Sequence, residues 1–174
     1  MAWRRTARDV SERRLGHRGI FALPGGPPAT NMRAMSDIIY PRSPREAMCG
    51  WVHLPRFIDK IRLKRAGKLP SEYEENFTKG FDGMWLKAAG VNADDFIKKV
   101  EDSITDGEVS DWVLRNVKKT AAEIAAFNSF VLNRGSDDPE AKARLEKRKG
   151  ELGLAHRGDV LTFVDMIDAD EKRI

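Results

Sequence analysis

Thr105 stands three residues before Glu108, and Thr120 three before Glu123, each pair at the head of an apolar run. At this spacing hydroxyl and carboxylate reciprocally satisfy the backbone amides that a helix start leaves without partners, so each pair marks a helix N-terminus. The runs they open carry Val109, Trp112 and Val113, then Ile124, Phe127 and Val131, at the three- and four-residue steps of one helical face. The rest of the chain from residue 54 onward keeps the same punctuation, with a start or stop every ten to fifteen residues or so, roughly the length of an ordinary helix and its turn. Pro55 suits the first turn of a helix with Leu54, Phe57, Ile58 and Ile61 on one side, closed by Gly67 and Pro70. Pro70 and Ser71 open a short acidic helix through Phe77, and Phe81, Met84, Trp85 and Ala88 repeat helically up to Gly90. Asn92 caps a helix bearing Phe96, Ile97 and Val100, and Gly135 in "NRG" offers a left-handed stop to the run from Ala121. Asp138-Pro139 begins a highly charged helix ending near Gly153, and Asp159 is expected to cap a last one with Val160, Phe163, Val164 and Ile167 inward.

Nothing alternates like a strand for long, and no repeat of fixed period occurs. About seven or eight short amphipathic helices joined by short turns predict an all-α domain over residues 35–174, a single compact orthogonal or irregular array rather than a coiled coil, whose heptads would persist. Its size supports a core without disulfides or metal. No apolar run approaches the roughly 18–20 residues of a membrane-spanning helix. Cys49 is the sole cysteine, which fits a reducing compartment, so a cytoplasmic location is expected.

The formal charge of +4 would suggest a polyanion partner if it were spread along the chain. It is not. Residues 1–34 hold seven arginines against Asp9 and Glu12, leaving residues 35–174 near neutral, so nucleic-acid binding is not expected of the domain itself. That Arg-rich stretch, with "LPGGPP" and no apolar period, reads as a disordered extension. A non-native upstream start, with initiation at Met32 or Met35, a native arm and a targeting leader are the three readings.

Several blocks outside that stretch, "PRSPRE", "HLPRFIDKIRL", "GKLP", "FDGMWLKAAGV", "DWVLRN", "EIAAFNSFVLNRG" and "LTFVDMIDADE", carry a likeness. From about residue 38 to 171 the chain resembles the domain-of-unknown-function family numbered 5069. The resemblance implies a small helical bacterial protein and brings no activity, ligand or catalytic position.

Chemistry must therefore be sought in the side chains. Cys49 and His53 are four apart, but Gly50 and Pro55 argue against the continuous helix that would pair them, and the thiol reads as packing. His17, His53 and His156 are scattered, so no metal site or cofactor is expected. Asp165, Asp168 and Asp170 near the end of the last helix oppose its dipole and call for basic partners or solvent. "KGFDG" is a turn, not a phosphate loop, and Trp51, Trp85 and Trp112 read as core. Asn128 lies in the apolar arc of its helix, where its amide should pin a neighbouring loop or orient a ligand.

The segment "GWVHLPRFIDKIRLKRAGKLP" sets six cationic side chains against Asp59 alone. Amphipathic patterning places Lys60 and Lys64 in solvent. Arg42 and Arg45, stiffened by Pro41 and Pro44, are expected to converge with His53 and Arg56 near the helix start, where guanidinium forks and first-turn amides suit a carboxylate or phosphate. The leading expectation is a binding module for an anionic small molecule or an acidic protein through Arg42, Arg45, His53 and Arg56. The alternatives are an enzyme using Asp59 or Asp82 beside those cations, and weak nucleic-acid binding through the helix from Arg56 to Lys68.

Overall fold

The computed structural model describes residues 38–174; the Arg-rich extension expected over residues 1–34 lies outside the described residues. Where the sequence shows no alternation, a minimal hairpin forms: β1 (Ala47–Met48) pairs antiparallel with β2 (Trp51–Val52), Met48 opposite Trp51. Cys49 (φ 53°) and Gly50 (φ 82°) are both left-handed, the requirement of a two-residue turn whose twist matches its strands. Two-residue strands are too short to alternate, which is why pattern reading passes over them.

Eight helices follow among the described residues: α1 (Leu54–Arg65), α2 (Ser71–Glu74), α3 (Gly80–Ala89), α4 (Ala93–Asp102), α5 (Asp106–Asn116), α6 (Ala121–Asn133), α7 (Pro139–Glu151) and α8 (Phe163–Asp170). They make a compact, irregular all-α array. Both expected capping boxes are present at Thr105 and Thr120, and Asn92 and Asp138 accept from first-turn amides as their sequence positions require. Two boundaries differ from expectation. The acidic helix α2 stops at Glu74 rather than Phe77, because the chain turns through residues 75–79 with Thr78 left-handed (φ 60°). The last helix is capped by Thr162, not Asp159: Thr162 forms a third capping box with Asp165, while Asp159 is taken by Arg157 at 2.6 Å.

α1 runs through the centre. It contacts β1, α3 and α4, and α6 in turn packs on β2, α3 and α8, with α7 on α8. The core gathers Trp51, Phe57, Trp85, Phe96 and Phe127 in edge-on and tilted contacts, the closest being Trp85 and Phe96 with centroids 4.7 Å apart. Trp112 joins half-buried against Phe96, 5.9 Å away. Asn128 performs the pinning role: its Oδ1 accepts from the Val52 amide at 3.0 Å and its Nδ2 donates to the Gly50 carbonyl at 2.7 Å. Those two bonds hold the hairpin against α6, and the hairpin delivers His53 to the start of α1.

Candidate functional site

His53 precedes α1 with a left-handed backbone (φ 67°), its amide donating to the Pro44 and Glu46 carbonyls. One helical turn apart, His53, Arg56 and Lys60 line the same side of α1. That side faces inward. His53, Arg56 and Lys60 are 3%, 3% and 4% exposed, so Lys60, expected in solvent, is buried; Lys64, one turn further, reaches Glu74 at the surface.

The partner of His53 and Lys60 is Asp82 on α3, itself 1% exposed. Its Oδ1 lies 2.8 Å from His53 Nε2, and its Oδ2 accepts from the Lys60 ammonium and, at 3.2 Å, from the Thr78 amide. This approach depends on Gly83, where a Cβ would stand 2.8 Å from the Thr78 carbonyl oxygen and push the turn away. Burial works against the Asp82 charge, but the hydrogen bond from His53 and the Lys60 ammonium outweigh it and hold the carboxyl below its ordinary value. Burial pushes the His53 imidazole down, against the pull of Asp82, and pushes the Lys60 ammonium down as well. The imidazole is therefore neutral near pH 7, its Nε2–H donating to Asp82. Nδ1 is left buried without a hydrogen-bond partner.

Arg56 completes the floor. It holds Glu171 with both arms, at 2.5 and 3.1 Å, and donates to the carbonyls of Pro41 and Arg42 at 3.2 and 2.8 Å. Burial opposes this charge; the hydrogen bonds and charge of Glu171 exceed it and raise the guanidinium's pKa. Tyr73 donates to the same Glu171 and stacks beneath the guanidinium, and burial first, then Glu171, pushes its phenol up.

The four cations expected to share one anion each hold a different internal carboxylate. Arg42 grips Asp59 at 2.8 Å and reaches Asp106 at 2.8 Å, Arg45 pairs with Asp165 and Asp168, His53 meets Asp82, and Arg56 meets Glu171. Asp59 thus fastens the 41–46 approach to α1, and Asp165 and Asp168 find the basic partners their helix-end position called for. Asn128 lies with the hairpin, apart from this group. Along α1 the remaining cations are also engaged: Arg62 with Asp106, Lys64 with Glu74, and Arg65 with the Glu101 carbonyl. Among the described residues no cluster of three or more metal-ligating side chains forms, and no helix is long and apolar enough to cross a membrane.

Above the His53, Arg56, Lys60 and Asp82 floor opens a cleft of about 690 Å³ between α1, α2 and α3 on one side and α7 and α8 on the other. Phe81, Met84, Leu152, Phe163, Met166 and Ile167 supply apolar walls. Lys79, Arg134, Arg144 and Arg148 add cations to its lining. Lys79 makes no ion pair among the described residues, whereas Arg144 and Arg148 pair with Glu140 and Glu151 on their own exposed helix face. In all, six cationic side chains meet four carboxylates, Glu72, Asp82, Asp170 and Glu171. Partial desolvation, then the neighbouring charges of Glu171 and Glu72, raises the Asp170 carboxyl above its ordinary value. Sequence reading found His53, Arg56 and Asp82 but missed Lys60, Tyr73, Lys79 and Glu171. The available signal was the 53, 56, 60 spacing, which puts three basic groups on one side of a helix.

Among curated proteins no match is found. The arrangement of blocks is that of one family throughout: a domain of unknown function, DUF5069, matches residues 38–173, and the chain belongs to it.

Proposed function

We propose that the protein binds a small anionic molecule with an apolar body in the cleft between α1–α3 and α7–α8. The observation that carries this is the lining: apolar side chains from α3 and α8, with Leu152 just after α7, border a volume of small-molecule size, and cations outnumber carboxylates along it. The floor charges are already neutralised in pairs, so the ligand's anion is met by Lys79, Arg144 and Arg148. Exposed helix-surface pairs such as Arg144–Glu140 contribute little, and these guanidinium groups can turn to a ligand at small cost. Of the four cations singled out in the sequence, His53 and Arg56 line this cleft, and Arg42 and Arg45 support the segment behind it.

Calorimetry and thermal shift with 3-phenylpropanoate and phenyl phosphate, against the neutral 3-phenylpropanamide, test this reading. The anions should bind and raise the melting temperature, Lys79→Ala with Arg148→Ala should weaken them, and Lys64→Ala, outside the cleft, should not. Equal response to the amide, or none to either anion, rejects it.

An enzyme is the second reading, supported by the 2.8 Å contact between an ionised carboxylate and a neutral imidazole at the base of a concave site. Left-handed backbone at His53 and Thr78, both in contact with Asp82, adds to it, because such conformations gather where a site demands them.

A further inference from the structure

A second concavity shares no residue with the cleft. It is a groove of about 440 Å³ between the hairpin, the end of α5 and the start of α6, walled by Trp51, Val113, Val117 and Ile124. Leu114 stands on its rim 62% exposed, although its outward neighbours on α5, Asp111 and Arg115, are charged and pair with each other. A single exposed leucine is ordinary, whereas one continuous with an apolar groove marks a contact surface.

The charges along this groove have one sign. Lys118 and Lys119 line it and no carboxylate does. The Lys118 ammonium meets the Leu114 carbonyl at 3.4 Å and makes no ion pair among the described residues. That of Lys119 lies 3.4 Å from Glu123, whose carboxylate is already committed to the Thr120 amide and hydroxyl at 2.8 and 2.9 Å. An exposed pair of this kind contributes little, so both ammonium groups are open to an acidic partner. The backbone indicates the form of that partner. Residues 117–120 join α5 to α6 in extended conformation, with Val117 at φ −90°, ψ 101° and Thr120 at φ −74°, ψ 157°. Among the described residues the Lys118 and Lys119 amides donate to no backbone carbonyl. An extended segment with free amides beside a groove is a template on which a peptide adds as a strand, alternate side chains entering the groove.

We infer that this groove docks an extended peptide segment of a partner protein, carrying an apolar anchor between acidic residues. The anchor packs against Trp51, Val117 and Leu114, the flanking carboxylates meet Lys118 and Lys119, and the peptide main chain bonds the 117–120 linker. Charge complementarity selects an acidic segment and turns away a basic one. A small free anion would satisfy the lysines and leave the linker amides unused.

Titrating acetyl-EDELEDE-amide, its leucine-to-serine form and acetyl-KRKLKRK-amide into the full chain labelled with ¹⁵N tests this. The acidic leucine peptide should bind about fivefold or more tighter than either of the others, move the Val117, Lys118 and Lys119 amide resonances most, and weaken as salt rises. Leu114→Glu, at an exposed position, and separately Lys118→Ala with Lys119→Ala should each lower its affinity about fivefold or more. Lys142→Ala, on α7 and outside both concavities, should leave it unchanged. Equal binding of the basic peptide, resonance shifts centred on the cleft instead of the linker, or no binding of the acidic peptide overturns the inference. So does 3-phenylpropanoate moving the linker amides as strongly as the peptide, which would assign the groove to small anions.

Discussion

Arg56 and Glu171, 115 positions apart, hold each other through two hydrogen bonds at a place where neither side chain is more than 3% exposed. The guanidinium also ties down the Pro41 and Arg42 carbonyls, and Arg173 reaches both Glu171 and the Pro41 carbonyl. One buried pair thereby joins the segment before the hairpin, the central helix and the end of the chain. Removing one partner leaves an uncompensated charge in the interior, which costs about 3–5 kcal/mol. Arg56→Ala and Glu171→Ala should each lower stability by that amount in urea unfolding, and Arg56→Met combined with Glu171→Leu should recover part of it. A loss under about 1 kcal/mol for either single change would show that the pair is solvated.

Stability should fall in acid, in two stages. Burial depresses His53 below its ordinary 6.5, so between that value and its folded pKa the unfolded chain binds a proton that the folded chain refuses. Its contribution is complete above pH 6.5 and declines as pH drops through that window. Asp82 and Asp106, both depressed from 3.8, contribute fully above that value and lose their share as pH falls through their folded values. Melting temperatures from pH 8 to pH 3, on scales set by these ordinary values, should show both declines. His53→Gln should abolish the upper one and spare the lower; an unchanged upper limb would assign it to other groups.

Asn128→Ala should detach the hairpin from α6. The Val52 amide, 7% exposed as a residue, and the Gly50 carbonyl lose their partners, at a cost of roughly 1–3 kcal/mol. Amide exchange at Val52 should accelerate more than exchange in α4, and uniform acceleration would refute a local role.

Thr162→Ala should cost about 0.5–2 kcal/mol, as should Thr105→Ala and Thr120→Ala, since each removes an N-cap acceptor. Chemical denaturation of the three variants checks this. A neutral Thr162 variant would mean that Asp165, which accepts from the Leu161 and Thr162 amides, holds the start of α8 alone.

What the sequence makes legible here is local. The Thr105 and Thr120 boxes, the Asn92 cap and the Asp138-Pro139 start depend on groups within four residues of one another, and all four are where the pattern places them. Thr162 escapes because its box uses the shorter Asp165 and follows Val160 and Leu161, which extend the apolar pattern backward and draw the helix start toward Asp159. The candidate site is half legible for a related reason. A basic residue on a helix looks the same whether it faces water or a carboxylate from a distant element, so Lys60 and Arg56 could not be told apart until α3 and the end of the chain were in place. Asp82 stood beside Phe81 and three before Trp85, an acid inside an apolar arc, and that anomaly was, beside the 53, 56, 60 spacing, a readable sign of a buried charge pair.

The pairing of Arg56 with Glu171 also sets a timetable. During synthesis the central helix leaves the ribosome long before its counter-charge does, and chains begin to organise from the N-terminal side. Until residue 171 emerges, packing α1 into the nascent core would bury a guanidinium without its acid. The last helical turn therefore acts as a clasp, and a chain released early would carry an open, cationic seam in place of a sealed cleft floor, the kind of exposed surface that chaperones and proteases recognise as unfinished.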